Sequence, residues 1–182
     1  MSSLNNDVLV FQQTKNLVKN DFAIMDEQGR QVGHVETGGS TLGRMLKGSR
    51  ELTVFAGPEN PVLRVKDTMT LGRDRMEIVD AAGAPLASLV KRISFFRTRI
   101  TLDLQGEELK LEGNIWGFEF QMSGPGGAMG TVSRQWSGVG NAFLGMSTYS
   151  LRLAPHLTLP QRYALIGSVL ALDLIREKES RN

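Results

Sequence analysis

The sequence predicts a mainly β domain whose antiparallel sheet closes around one buried C-terminal helix. Three observations predict it. Short runs of alternating apolar and polar residues recur between Phe22 and Val132, turn residues punctuate them at regular intervals, and a single stretch near the C-terminus is apolar on nearly every side. A chain of 182 residues fits one domain, spanning 1–182, and is long enough to bury a core without covalent staples.

The turns come first, because one unit recurs. Residues 24–35 read Ile-Met-Asp-Glu-Gln-Gly-Arg-Gln-Val-Gly-His-Val, residues 78–89 repeat that pattern, and residues 121–132 form a looser third copy. In each, Asp26, Asp80 or Ser123 precedes Gly29, Gly83 or Gly126 by three residues. An Asp or Ser side chain bonds nearby backbone to start a turn, and Gly takes the positive φ that closes it. These are hairpins.

The strands between them alternate with period two. Phe96, Thr98, Ile100, Leu102 and Leu104 share one face, and Arg97, Arg99, Thr101 and Asp103 share the other. Leu109 and Leu111 alternate with Lys110 and Glu112, and Phe118, Phe120 and Met122 with Glu119 and Gln121. Such strands have one wet face and one buried face, as in a sandwich or a barrel. Ser40 to Gly48 reads as a short helix interrupted by Gly43 and Gly48.

At the C-terminus the period changes. Thr158 and Pro160 mark a helix start, since the missing N–H of Pro is no loss in the first turn. Arg176 and Lys178 fall in the last turn, where cations suit the helix dipole. The run 163–175 between them is apolar almost all round, with Leu165, Ile166 and Leu170 as core positions and Asp173 as its one ionisable residue. At about 1.5 Å per residue this run spans about 20 Å, short of the roughly 30 Å hydrocarbon core of a bilayer, so no transmembrane anchor is expected. Asp173 would also be costly in lipid. A sheet with one apolar face and a helix apolar on all sides bury each other when the sheet closes around the helix.

Composition narrows function. With no cysteine, disulfides and thiolate metal sites are excluded, which fits a reducing cytoplasm. Residues 1–7 lack a basic stretch followed by an apolar run, so no signal peptide is expected there. The net charge is only +2, but residues 44–99 hold eleven Lys and Arg against six Asp and Glu. That basic middle third suits an anionic partner, or else simply solubilises outward strand positions.

Catalytic chemistry finds little. No Gly-x-Ser-x-Gly elbow occurs, and the nearest approach, residues 145–149, lacks the second Gly. His34 and His156 fall in no ligand spacing, and His34 reads as an outward strand residue. Residues 38–44 lack the Lys-Ser/Thr ending of a phosphate loop, and Gly124-Pro125-Gly126-Gly127 is a turn. Asp173, buried in an apolar helix, needs donors and reads as a structural carboxylate rather than a catalytic acid. No enzyme, cofactor or metal site is expected.

One family carries this combination. Arg134-Gln135-Trp136-Ser137-Gly138, then Phe143, Tyr149, Pro155, Leu157 and the helix from Leu165 through Asp173 resemble the C-terminal half of phospholipid scramblases. Val10-Phe11-Gln12-Gln13 and residues 20–29 are similar to the start of bacterial scramblase-related proteins. The resemblance extends to the LURP-one-related and tubby C-terminal-like proteins. It implies a barrel of about twelve strands threaded by the C-terminal helix, with Trp136 and Phe143 packed in the core. It further implies a non-enzymatic binding or scaffold module, or alternatively a lipid-translocating protein, with a small-molecule carrier or enzyme as the weaker reading.

Tubby domains hold phosphoinositide headgroups with basic side chains, which makes Arg73, Arg75, Lys91, Arg92, Arg97 and Arg99 the candidate contacts to an anionic membrane surface. Arg73 and Arg75, like Arg97 and Arg99, lie two apart and so project to one face, with Lys91 and Arg92 expected at its rim. A protein partner is the other expectation; nucleic acid is not expected. The chain departs from scramblases in two ways: it has no palmitoylation cysteines, and residues 145–156, where they carry an acidic calcium-binding stretch, contain no carboxylate. Calcium requires several anionic oxygens to offset its dehydration. Millimolar Ca²⁺ is therefore expected to leave the melting temperature and the calorimetric heat unchanged, and saturable stabilisation by Ca²⁺ but not Mg²⁺ would overturn that expectation.

Overall fold

The computed structural model describes residues 4–14, 22–38, 51–70, 73–93, 98–134 and 148–179, without the side chains of 68–70, 73–74, 92–93 and 178–179. These form twelve strands and one helix: β1 (Val8–Gln13), β2 (Phe22–Met25), β3 (Gln31–Gly38), β4 (Glu51–Ala56), β5 (Pro61–Thr70), β6 (Arg73–Asp80), β7 (Pro85–Ile93), β8 (Thr98–Leu104), β9 (Glu107–Asn114), β10 (Glu119–Gly124), β11 (Gly127–Ser133), β12 (Thr148–Leu153) and α1 (Leu159–Glu179). Each strand pairs antiparallel with its sequence neighbours, and β1 closes the ring on β12 with Val8 opposite Arg152 and Gln12 opposite Thr148. A closed barrel leaves no unpaired edge.

The hairpin unit read from the sequence holds at the first two sites with one hydrogen-bond pattern. Asp26 Oδ1 accepts from the N–H groups of Gln28 and Arg30, both at 2.9 Å, and Asp80 Oδ1 accepts from Ala84 N–H at 2.8 Å. Gly29 (φ 75°) and Gly83 (φ 91°) close the turns. The third copy differs. Its positive φ sits on Gly127 (105°) rather than Gly126, and Gly124 pairs with Gly127 around a Pro125-Gly126 loop, with an irregularity in register at Met122/Ser123. A further tight turn at Gln105-Gly106, both with positive φ, joins β8 and β9, and Asp103 Oδ1 accepts from Gly106 N–H at 2.8 Å.

Alternation sorts the strand faces as expected. Ile100, Leu102, Leu104, Leu109, Leu111, Phe118, Phe120 and Met122 are buried. Arg99 and Asp103 are exposed, while Phe96 and Arg97 lie outside the described residues. β1 is buried on both faces. His34 takes an outward position but is half-buried, its ring stacked on Phe55 at 4.6 Å with Glu36 3.4 Å from its Nε2. The short helix expected at 40–48 also lies outside the described residues.

Because neighbours are antiparallel, the barrel has two poles. The turns 26–30, 57–60, 81–84, 105–106 and 125–126 and the passage 154–158 share one, so α1 starts there and runs to the other. The helix start is a capping box: Thr158 Oγ1 accepts from Gln161 N–H at 3.4 Å, and Gln161 Oε1 accepts from Thr158 N–H at 3.0 Å. Arg162, buried, fastens the chain's start at this pole, donating to Asp7 Oδ1 and to the carbonyl of Asn5, each at 3.0 Å, and to the carbonyl of Asn6.

Residues 164–175 are buried without interruption. Leu165, Ile166 and Leu170 have no exposed surface, and α1 touches β5 through β8 on one wall and β12 on the opposite wall. The helix is inside. At Gly167 it comes so close to β6 that an added Cβ would meet Ile78 Cδ1 at 2.7 Å. Trp136 and Phe143, expected in this core, lie outside the described residues.

Two outcomes follow. Leu170→Asp is expected to cost several kcal/mol through an unpaired buried charge, read as a collapse of cooperative thermal unfolding. Gly167→Ala is expected to destabilise by about 1–3 kcal/mol by overpacking, despite a helix-propensity gain near 1 kcal/mol. Adding Ile78→Val, which removes the clashing Cδ1, should recover part of that loss in a double-mutant cycle.

Candidate functional site

The outer wall of β6–β8 carries the basic residues singled out in the sequence. Arg75 on β6 and Arg99 on β8 are exposed, as the inward burial of Met76, Ile78 and Ile100 requires. Arg73 and Arg92 take outward register positions on β6 and β7. Arg92 lies directly across the ladder from Arg99, and Arg75 opposes Val90, two residues from Arg92. Like charges directly opposite each other are unfavourable on a sheet unless something anionic lies between or over them. The structure thus brings Arg73, Arg75, Arg92 and Arg99 onto three adjacent strands.

Two candidates behave differently, and Arg97 lies outside the described residues. Lys91 shares the parity of Ala87 and Leu89, so it takes an inward position, half-buried, and is not at the rim of the outer face. Lys91 and Arg92 are adjacent in sequence, and adjacent strand residues point to opposite faces. Arg99 is already engaged: its Nε donates to Glu112 Oε1, its cross-strand partner on β9. That ion pair is a seam. Beyond it, a cleft of about 540 Å³ on β9–β11 is lined by Glu112, Asn114, Glu119, Gln121, Thr131 and Ser133 among others, with no cationic side chain. The cleft's charged residues, Glu112 and Glu119, are both acidic.

The second polar feature is inside. Asp173 is 6% exposed and sits 3.3 Å from Arg176 Nη2, one helical turn on, an ion pair by distance that lacks hydrogen-bond alignment. Arg176 in turn lies over the Phe118 ring at 5.2 Å, and Phe118 packs on Tyr149 at 4.7 Å. Burial raises the Asp173 carboxyl from 3.8 to about 6, with Arg176 pulling down, Glu177 pushing up and Arg134 pulling down. Burial likewise raises the Tyr149 hydroxyl well above its usual range, and the Asp173 charge adds to that.

Sequence reasoning found Asp173 but not its partner, although Arg176 lies at the i+3 spacing that shares a helix face. It also missed Trp116, which is 62% exposed at the β9–β10 turn where Asn114 Oδ1 accepts from Trp116 and Gly117 N–H at 2.9 and 3.1 Å. Among the described residues no group of three His, Cys, Asp or Glu is placed to hold a metal, and no helix is long and apolar enough to cross a membrane.

The raised Asp173 pKa has a signed consequence. The folded state holds this proton more tightly than the unfolded state, so the stabilisation from protonation is complete below about pH 4 and is lost as pH rises through about 6. Above that the ionised group costs about 3 kcal/mol, from a two-unit shift at 1.36 kcal/mol each. Asp173→Asn mimics the protonated form. Its stability relative to wild type should be highest at pH 7.5 and fall towards acid, measured as the difference in denaturant midpoint between pH 4 and 7.5; a pH-independent difference would contradict the buried-carboxyl account.

A family model described as LURP-one-related matches residues 7–169, which takes in all twelve strands and the first half of α1. Searches of curated proteins and of solved structures found no match. The closed barrel, its internal helix and this match over most of the chain agree: the chain belongs to the LURP-one-related family.

Proposed function

We propose that this protein is a non-enzymatic binding module, working in the cytoplasm, that docks reversibly on anionic phospholipid surfaces through the outer wall of β6–β8. Membership of the LURP-one-related family supports a non-catalytic domain. The observation that carries the reading is the cross-strand pair Arg92–Arg99 with Arg75 beside it, cations gathered where a sheet gains nothing from gathering them. Phosphate headgroups add counter-charge over that wall beyond what Glu112 supplies to Arg99. A lipid-translocating role draws less support, because the helix that would span the bilayer has its apolar surface committed to the barrel interior.

Each cation at an anionic membrane contributes about 1 kcal/mol, so a few give weak, reversible binding. Arg75→Glu/Arg92→Glu spares the Arg99–Glu112 pair. Removing two cations should lower affinity by about 2 kcal/mol, roughly thirtyfold, before the added repulsion is counted. The measurement is sedimentation with phosphatidylcholine vesicles, with and without phosphatidylserine, at low and high salt. Wild type should pellet only with the anionic vesicles and be released at about 0.5 M salt, where screening shortens the reach of each charge to a few ångströms. Equal pelleting of wild type and variant, or no pelleting of either, would leave the wall as ordinary solubilising surface.

A further inference from the structure

The four described arginines of β6–β8 lie at one end of that wall. Arg73 and Arg75 fall in the first three residues of β6, Arg92 is the last residue but one of β7, and Arg99 is the second of β8. β6 and β8 start, and β7 ends, at the far pole of the barrel, where α1 ends. Towards the opposite pole the same outward rows continue with Glu77 on β6, Val90 and Ser88 on β7, and Thr101 and Asp103 on β8, and carry no cation. The wall is therefore polarised along its strands. Glu51 and Glu119 stand at the far-pole ends of β4 and β10 and bound the cationic arc on either side.

One strand beyond that arc, at the same pole, the β9–β10 turn displays Trp116, 62% exposed. A lone exposed apolar residue calls for no explanation. Trp116 is distinguished by how it is held. Asn114 Oδ1 accepts from the N–H groups of Trp116 and Gly117, and the residues on either side of that pair, Ile115 and Phe118, are buried. Phe118 holds a backbone φ of 53°, uncommon for a bulky residue, and packs against Phe120, Tyr149 and the Arg176 guanidinium. Backbone in that region persists only when its surroundings enforce it. The turn is thus fixed to the core on both sides of an exposed indole, and little conformational freedom is lost when the indole meets a partner. An indole joins an apolar body to an N–H donor, the combination that favours the headgroup level of a bilayer.

We propose that the protein docks end-on: the far pole faces an anionic bilayer, the arginines of β6–β8 meet its headgroups, and Trp116 seats its indole among them. This orientation rests on β6–β8 being the docking wall and adds an anchor to it. Side-on contact would press Glu77 and Asp103 against the anionic surface together with the arginines. Each lies four residues from an arginine of its own strand, Arg73 or Arg99. At about 3.3 Å per residue and a strand tilt of about 40°, each sits about 10 Å further back when the far pole leads. That exceeds the screening length of about 8 Å at physiological salt, so end-on docking keeps the attraction and sheds most of the repulsion.

The test uses the full chain and phosphatidylcholine vesicles with and without phosphatidylserine. Trp116→Ala should still pellet with the anionic vesicles but bind about tenfold more weakly than wild type. Leu159→Ala trims the exposed apolar side chain at the opposite pole and should bind as wild type does. When the phosphatidylcholine carries bromine near the carbonyl end of its chains, bound wild type should show quenched tryptophan fluorescence. That quenching should vanish in Trp116→Ala, which keeps Trp136. Bound wild type that is not quenched would overturn the end-on anchor without recourse to any variant. So would Trp116→Ala that binds as tightly as wild type or is still quenched, or Leu159→Ala weakened to the same degree; each leaves the docking wall standing. Failure of wild type to pellet with anionic vesicles would remove the wall itself, and the orientation with it.

Discussion

Everything in this structure depends on the mutual burial of α1 and the inner face of the sheet. A barrel of about eight strands is filled by its own side chains, and wider barrels enclose a lumen that must be filled by something else. Twelve strands make such a lumen, and α1, about 10 Å across with its side chains, occupies it. The dependence runs both ways. Residues 164–175 are buried on every side, which no single-sided packing against a sheet would achieve. Where the fit is closest, at Gly167 against Ile78, even a methyl group has no room. The N-terminal segment and the capping box then hold the helix at one pole, through Arg162 and through Thr158 with Gln161.

A helix that must be apolar all round leaves little place for charge, and that makes Asp173 conspicuous. Its burial costs free energy that an apolar residue would not, and its partner Arg176 offsets only part of that. The cost is concentrated at the far pole, where Phe118, Tyr149 and the β9–β10 turn are packed together. The opposite pole buries Arg162 instead, its guanidinium held by Asp7 and by the carbonyls of Asn5 and Asn6. There Asp26, Asp80 and Asp103 accept turn hydrogen bonds, Asp80 and Asp103 while still in contact with water and Asp26 buried with Arg30 against it.

The outside of the barrel is free to carry function because the inside carries the fold. Outward positions on β6–β8 hold Arg73, Arg75, Arg92 and Arg99 beside Glu77 and Asp103, those on β9 and β10 hold Glu112 and Glu119 beside Lys110, and the Arg99–Glu112 pair joins the two sides. A surface ion pair of this kind contributes little to stability. Its position marks where the outward arginines of β6–β8 meet an outward carboxylate of β9 across the ladder.

Much of the fold was legible in the sequence because its signals are local. Period two along Thr98, Ile100, Leu102 and Leu104 marks one face of a strand whatever surrounds it. The Asp-x-x-Gly spacing at Asp26–Gly29 and Asp80–Gly83 specifies a turn within a few residues, and the all-apolar run of 163–175 admits one kind of environment. Ser123–Gly126 misled because Pro125 and a second glycine let the loop shift by one residue, and spacing alone does not choose between Gly126 and Gly127. The site was less legible because it depends on register between strands far apart in sequence. That Arg92 opposes Arg99, that Arg99 is met by Glu112, and that Lys91 falls at an inward register position and Arg92 at an outward one follow from how β6 to β9 align. The sequence by itself determined the alternation, the turns and the need to enclose a helix, since each rests on the chemistry of neighbouring residues. Only the tertiary structure decided which charges meet, because a charge acts on whatever lies within a few ångströms of it, and in a closed barrel those neighbours come from other strands.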